Sequence, residues 1–121
     1  MVLLDTCMCI ELLKGNMNVF KKFMSHTKAQ RFVSEFTIME LFVGVEKSTK
    51  GNIEELKVLK FLDNVTILPI SNSIRRFAKE KVRLQKIGTP IEDFDLLIGV
   101  SAVENNLTLI TDNVKHMVRI N

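Results

Sequence analysis

Short apolar runs alternate along the chain with longer segments in which apolar residues recur at helical spacing. A short continuous apolar run predicts a strand that is buried on both faces, as in a parallel sheet. The runs are Met1 to Leu4, Arg31 to Ser34, Val65 to Ile70 and Leu107 to Thr111. Pro69 lies near the end of the third run, where it marks the point at which strand pairing ceases.

The segments between and around these runs predict helices. They are Thr6 to Leu13, a helix through Val19 to Met24, a helix around Glu40 toward Lys47, a helix that starts at Gly51, Ile74 to Lys86, and Asp95 to Asn105. In the helix from Gly51, the spacing predicts that five residues face a core: Ile53, Leu56, Leu59, Lys60 and Leu62. Ser71 to Ser73 can cap the helix from Ile74, and Gly88-Thr89-Pro90 ends it.

This order of elements predicts a single α/β domain over residues 1–121, without repeats, low complexity or a linker. We expect a central parallel sheet of four or five strands with helices on both faces, joined by right-handed crossovers. In such sheets, ligands bind at the carboxyl ends of the strands. The acidic residues of the chain can be tested against that rule.

Glu40 is the single charge in the run from Phe36 to Val45, where every other residue is apolar or small and uncharged. A helix that is apolar on all sides is predicted to be buried. Burying an unpaired carboxylate costs several kcal/mol or forces it to take up a proton, so Glu40 needs a partner. The partner is either a buried Lys or Arg or a cation shared with other acids.

Three more acids are predicted at the same edge of the sheet. Asp5 follows the first strand directly, Asp112 lies just past the last strand, and Asp95 opens the helix that leads into it. Each position has a plainer interpretation: Asp5 and Asp95 are suitable helix caps, and Asp112 with Asn113 is typical of a turn. Capping and metal binding can also coexist.

Carboxylates gathered at one edge raise one another's pKa values unless a cation lies between them. Oxygen ligands favour Mg²⁺, with Mn²⁺ as a substitute, over zinc. A bound divalent ion activates water and stabilises charge that develops on a phosphate. The acids therefore predict a metal-dependent nuclease.

Composition and charge add only weak constraints. The chain is 46% hydrophobic, and its net charge of +3 permits a nucleic-acid partner without requiring one. No apolar stretch approaches the ~20 residues that span a bilayer, and Asp5 comes too early for a signal peptide. We expect a cytoplasmic protein with no membrane partner. Cys7 and Cys9 lack further ligands for a zinc site and are predicted to be reduced thiols.

The helix from Ile74 to Lys86 is rich in cations. Its candidates for contact with RNA phosphates are Arg75, Arg76, Lys79, Arg83 and Lys86. The alternative is a solvated face, opposite an apolar face formed by Ile74, Phe77, Ala78 and Val82. The sequence leaves both interpretations open.

Four blocks of residues, in this order and spacing, carry a resemblance to a known family. They are Met1-Val2-Leu3-Leu4-Asp5-Thr6, Thr37-Ile38-Met39-Glu40-Leu41-Phe42-Val43-Gly44, Gly88-Thr89-Pro90-Ile91 with Phe94-Asp95-Leu96-Leu97-Ile98-Gly99, and Leu109-Ile110-Thr111-Asp112-Asn113. They resemble the blocks of a PIN domain, and more closely those of VapC toxins, the endoribonuclease halves of VapBC toxin–antitoxin pairs. The resemblance spans almost the whole chain.

The resemblance implies a PIN-type sheet and Mg²⁺- or Mn²⁺-dependent hydrolysis of RNA. It also implies inhibition by a small VapB-like antitoxin, and a homodimer or a heteromeric complex with that antitoxin. The alternatives are a non-catalytic PIN-like module that binds RNA or protein, and a solitary nuclease without an antitoxin. The non-catalytic module would keep the fold and lose the acids.

Matched to the family's motifs, Asp5, Glu40 and Asp95 fall on its acidic metal-binding positions. The fourth position falls on Asn113, so either Asp112 replaces it or the site works with three charges. Two threonines at strand ends beside the acids, Thr6 and Thr111, are candidates to orient carboxylates or bound water.

Overall fold

The computed structural model describes residues 1–112, 117, 119 and 120. The strands are β1 (Val2–Leu4), β2 (Arg31–Ser34), β3 (Thr66–Leu68) and β4 (Thr108–Ile110). The helices are α1 (Thr6–Leu13), α2 (Met17–Met24), α3 (Glu35–Lys47), α4 (Gly51–Leu62), α5 (Ile74–Lys86) and α6 (Asp93–Glu104). Short 3₁₀ turns at Lys28–Gln30 and Ser71–Ser73 precede β2 and α5.

The strands form a four-stranded parallel sheet in the order β3-β2-β1-β4, which confirms the predicted fold class. From β1 the chain proceeds to β2 and β3 on one side of the sheet, and it returns to β4 on the other side. β1 and β4 therefore flank the switch point of the sheet. Open α/β sheets bind their ligands in the crevice at such a point, beyond the carboxyl ends of the strands.

Alternate residues of the strands build two separate cores. Val2, Leu4 and Val33 pack against buried residues of α1 to α4. On the other face of the sheet, Leu3 and Leu68 pack against Ile98 and Ala102 of α6. Helix α5 forms an outer layer on that side, where Leu84 packs against Leu96 and Val100 of α6. Helices thus cover both faces, as predicted.

The prediction that α3 is buried on all sides is wrong. Thr37, Leu41 and Val45 are buried, but Met39 and Val43 are 60% and 52% exposed. The helix with a fully buried middle is α6, in which every residue from Leu96 to Ala102 is buried. The difference arises because α6 lies between the sheet and α5, whereas α3 has one face without a covering layer among the described elements.

The predicted core face of α4 is wrong except at Leu62, which is half-buried and packs against the core. Ile53, Leu56, Leu59 and Lys60 are exposed, and Val58 and Phe61 are buried instead. The apolar face of α5 is largely exposed. In α5, Ile74, Ala78 and Val82 are exposed, Phe77 is half-buried, and Glu80 and Leu84 are buried. Both helices carry apolar residues on more than one face, and spacing alone does not say which face packs. Among the described residues, no helix is both long and apolar enough to span a bilayer.

Arg31 is a buried cation at the start of β2, beneath the ends of two helices. Its Nε donates to the carbonyl of Phe23 at 3.0 Å, and its Nη1 donates to the carbonyl of Asn64 at 3.1 Å. These carbonyls lie at the carboxyl ends of α2 and α4, where the helix dipole favours a cation. The guanidinium also lies 3.9 Å from the centroid of the Phe23 ring. Arg31 therefore fixes α2 and α4 to the sheet.

Replacing Arg31 by Lys should destabilise the protein, because an ammonium group cannot reproduce both directed hydrogen bonds and the ring contact. At least one buried carbonyl would lose its donor, at a cost of about 1–3 kcal/mol. Urea unfolding measures this as a lower midpoint. The matched control is Arg75→Lys at an exposed site, expected within about 0.5 kcal/mol of wild type. Equal midpoints for the two variants would contradict the role of Arg31.

Candidate active site

Asp5 is the residue at which β1, β4 and α1 meet. Its backbone N–H donates to the carbonyl of Ile110 at 3.1 Å, which extends the pairing of the two strands. Its buried side chain caps α1, since Oδ1 accepts from the N–H of Met8 at 2.9 Å. Oδ2 accepts a hydrogen bond from the hydroxyl of Thr111. A carboxylate oxygen has two lone pairs, so both oxygens keep acceptor capacity for a further ligand.

Glu40, on α3, is half-buried and is oriented by hydroxyl groups. The Thr6 hydroxyl donates to Oε1 of Glu40 at 3.1 Å, and Thr6 Oγ1 lies 3.0 Å from Thr37 Oγ1. A hydroxyl has only one proton to donate, so the fully buried Thr37 hydroxyl donates to Thr6. No Lys or Arg in the described part of the chain forms an ion pair with Glu40. Within the described residues, the alternative in which a buried Lys or Arg is the partner of Glu40 is therefore wrong.

Asp95 lies in the first turn of α6 and is half-buried. The helix begins at Asp93, two residues earlier than predicted, and Glu92 occupies the capping position. Asp95 is therefore inside the helix and is not its cap. An acid in the first turn is favoured by the helix dipole.

Electrostatic interactions connect the four acids. Burial raises the pKa of Asp5, and so do the negative charges of Asp112 and Asp95, against the lowering effect of its hydrogen bonds. Burial also raises the pKa of the Cys7 thiol, and the charges of Asp5, Asp95, Asp112 and Glu40 add to this. One thiol at the start of α1 therefore experiences all four carboxylates. The structure brings the predicted acids into one region of negative potential at the switch point.

The donor chemistry of this region fits a hard divalent cation. Its charged donors are carboxylate oxygens, which Mg²⁺ and Mn²⁺ prefer, and a cation would relieve their repulsion. Within the described ranges, no three His, Cys, Asp or Glu side chains are gathered closely enough to enclose a metal ion. Mg²⁺ usually keeps several waters, so separate carboxylates suit it better than they suit a closed zinc site. Asn113, the alternative fourth position, lies outside the described residues.

Two of the predicted RNA-binding arginines on α5 take part in internal contacts. Arg76 pairs with Glu104, 2.5 Å away, at the opposite end of α6 from Asp95. Arg83 pairs with the buried Glu80 at 2.9 Å and donates to the carbonyl of Arg119 at 2.5 Å. The hydrogen bonds that Arg83 donates to Glu80 raise the pKa of Arg83. The exposed candidates on α5 are Arg75, Lys79 and Lys86.

The sequence also did not identify three polar residues that lie beside the acids. Thr37 supports Thr6, and the signal available was its position one helical turn before Glu40. Asn18 and Lys22 on α2 line a cavity that Thr111 and Asp112 also line. No local motif marks these two residues, because the cavity forms only when α2 packs beside the end of β4.

Comparison with known proteins agrees with this architecture. Residues 2–120 match the PIN domain family. The chain is 31% identical to ribonuclease VapC1 of Rickettsia felis, over 98% of this chain and 90% of that protein. It is 25% identical to the tRNA(fMet)-specific endonuclease VapC of Salmonella typhimurium, over the same shares of the two chains. Its fold is similar to a chain in the crystal structure of VapBC2 from Rickettsia felis bound to a promoter DNA fragment. That match has a TM-score of 0.90 and 27% identity, and covers 98% of this chain and 92% of that chain.

Replacing Asp5 by Asn should stabilise the metal-free protein at neutral pH. Because the folded-state pKa of Asp5 lies above its ordinary value of 3.8, ionisation of Asp5 lowers stability as pH rises through this window. Asn keeps the cap of α1 and removes the charge. Thermal unfolding in EDTA should show a higher Tm for Asp5→Asn at pH 7. The difference should shrink as pH falls below 3.8.

The control for this prediction is Glu55→Gln, an exposed carboxylate on α4 that should leave Tm nearly unchanged at either pH. A lower Tm for Asp5→Asn at neutral pH would contradict this prediction. It would mean that the hydrogen bonds of the charged carboxylate stabilise the fold by more than its burial and repulsion destabilise it.

Proposed function

Because the chain belongs to the PIN domain family and, within it, to the VapC ribonucleases, we propose that it is an endoribonuclease and the toxin of a toxin–antitoxin pair. The observation that carries this proposal is the convergence of Asp5, Glu40, Asp95 and Asp112 at the switch point of the sheet. A non-catalytic module would have no reason to keep a buried carboxylate, Asp5, beside the negative charges of Asp95 and Asp112. Burial and repulsion oppose the ionisation of Asp5, and such a cost in stability is a common property of catalytic sites.

The proposed cofactor is Mg²⁺, with Mn²⁺ as a substitute, bound by Asp5, Glu40 and Asp95 and by Asp112 at the edge of the crevice. When bound, such an ion supplies a Lewis acid for the phosphate and an activated water. The protein's own contribution is orientation. Thr111 and the N–H of Met8 hold Asp5, and Thr6 holds Glu40.

The hydrogen bonds that Asp5 accepts also favour its charged form. A hydrogen bond to a carboxylate favours its ionised form and opposes the effect of burial. In Asp5, the bonds from Thr111 and Met8 lower the pKa that burial raises. The carboxylates are therefore fixed in place before the substrate arrives, and less ordering is needed at the reaction step.

The proposed partner is a small VapB-like antitoxin, in a heteromeric complex or together with a homodimer of this chain. The related chain of known structure comes from a VapBC complex. Exposed apolar residues on this protein support an association. They include Met39 and Val43 on α3, Ile53 and Leu56 on α4, and Ile74 and Val82 on α5. Exposed side chains of this kind supply apolar surface that a partner protein can cover.

Glu40→Gln and Asp95→Asn should each lower kcat/KM for single-stranded RNA by about 100-fold or more, since each removes a carboxylate charge that would hold the metal ion at the reacting phosphate. The matched controls are Glu46→Gln, on the same helix as Glu40, and Asp93→Asn, two residues before Asp95; both are exposed. Both controls should cleave at nearly the wild-type rate. Cleavage is measured with Mg²⁺ and again in EDTA, and undiminished cleavage in EDTA would show that no metal takes part.

Added Mg²⁺ should also raise the Tm of the wild-type protein by mass action, independently of any cleavage. The rise should be smaller in Glu40→Gln and Asp95→Asn than in their two controls. Equal rises in all five proteins would mean that these acids do not bind the ion.

A small protein encoded beside this chain should copurify with it and suppress its cleavage of RNA. Size-exclusion chromatography of the coexpressed pair, followed by the cleavage assay, measures both effects. The reference is this chain purified alone, which should be active. If the neighbouring gene product neither binds nor inhibits, the solitary nuclease is the better description.

A further inference from the structure

A cavity of about 180 Å³ lies beside the acids, between α2 and the end of β4. Its walls come from β1, α1, α2 and the residues at and after the end of β4. They are Leu4, Met8, Asn18, Val19, Lys22, Phe23, Ile110, Thr111 and Asp112. The mechanism described above makes no use of this cavity.

The cavity is continuous with the proposed active site. Thr111 lines it and also donates a hydrogen bond to Asp5. Asp112 lines it and is close enough to Asp5 to raise the pKa of that residue. A group inside the cavity would therefore lie next to a phosphate bound at the metal ion that the acids would hold.

The walls of the cavity are divided by polarity. Five aliphatic or aromatic residues form the apolar part: Leu4, Met8, Val19, Phe23 and Ile110. The side chains of Asn18 and Lys22 supply an amide and an ammonium group from one face of α2, since residues four apart are neighbours on a helix. Both residues are exposed, and neither side chain has a hydrogen-bond or ion-pair partner within the described ranges.

The size of the cavity limits what can occupy it. Its volume is about 180 Å³. Pockets for drug-sized ligands are larger, at about 300–1,000 Å³. The apolar slot has four polar groups at its edge: the amide of Asn18, the ammonium of Lys22, the hydroxyl of Thr111 and the carboxylate of Asp112. A slot of this size suits a single flat ring that is linked through a sugar to a phosphate.

We propose that this cavity is a nucleobase subsite for the nucleotide next to the cleaved bond, in which Asn18 hydrogen-bonds the edge of the base and Lys22 pairs with its phosphate. The subsite rests on the proposed endoribonuclease function. Proteins that read single-stranded RNA commonly place an unstacked base in such a pocket and read its edge. The Asn amide offers both donors and an acceptor for this purpose.

The phosphate contact is tested by RNA binding in EDTA, where no cleavage is expected. Fluorescence anisotropy of a short labelled single strand is followed against salt for wild type, Lys22→Gln and Lys21→Gln. Each phosphate contact to a single strand contributes about 0.7 to the slope of log affinity against log salt, so Lys22→Gln should lose about that much. Lys21, its exposed neighbour, does not line the cavity, so its variant should keep the wild-type slope.

The base contact is tested by specificity. The kcat/KM values are measured for RNA strands that differ only in the base beside the cleaved bond. Asn18→Ala should reduce the preference between the best and worst bases about tenfold, the lower range for one amide–base contact. The control, Asn52→Ala, changes an exposed amide on α4 and should keep the preference. Melting temperatures of the variants exclude loss of folding as the cause.

The outcomes separate this subsite from the activity itself. The subsite alone would be overturned by the following combination of results. The wild type cleaves RNA, the two lysine variants have identical salt slopes, and Asn18→Ala keeps the wild-type base preference. If the wild type does not cleave RNA but Lys22→Gln still has a smaller salt slope, the endoribonuclease function is wrong and the cavity still binds RNA. If Lys22→Gln weakens binding of the antitoxin and leaves RNA binding intact, the cavity serves the partner protein and the subsite is wrong.

Discussion

The structure depends on the way in which Asp5 joins β1, β4 and α1. Its backbone pairs with Ile110, one carboxylate oxygen caps α1 through Met8, and the other accepts from Thr111. These bonds close the crevice at the switch point and fix a charge inside it. Glu40 and Asp95 complete the candidate active site around this residue. A change at Asp5 therefore affects a strand pair, a helix start and the candidate active site together.

Local signals in the sequence were sufficient for the order and type of the elements. The bounds of α1 and α5 agree with prediction, because Asp5 caps one helix and Gly88, with φ of 76°, follows the end of the other. The packed faces of α3, α4 and α5 were not predictable in the same way. Those helices carry apolar residues on several sides, and the choice among them is made by neighbours distant in sequence.

In the candidate site, too, some residues are predictable from the local sequence and others depend on contacts between distant parts of the chain. The acids were found because each follows a strand or interrupts an apolar run. The donors that orient them are partly hidden from sequence reasoning, since Thr6 and Thr37 meet across 31 positions of sequence separation. Asn18 and Lys22 carry no motif at all, and their relation to Asp112 exists only in the folded chain.

Two glutamates in this protein are oriented by different kinds of hydrogen-bond donor, one charged and one neutral. Glu80 is buried and pairs with Arg83, an arrangement that neutralises its charge and ties α5 to the carbonyl of Arg119. Glu40 is held instead by the hydroxyl of Thr6, which has no charge. A neutral donor fixes the direction of a carboxylate and leaves its charge available to a cation, whereas an arginine would satisfy that charge and compete with the ion. The choice of threonines around Asp5 and Glu40 is therefore itself an argument that these acids are kept for a ligand.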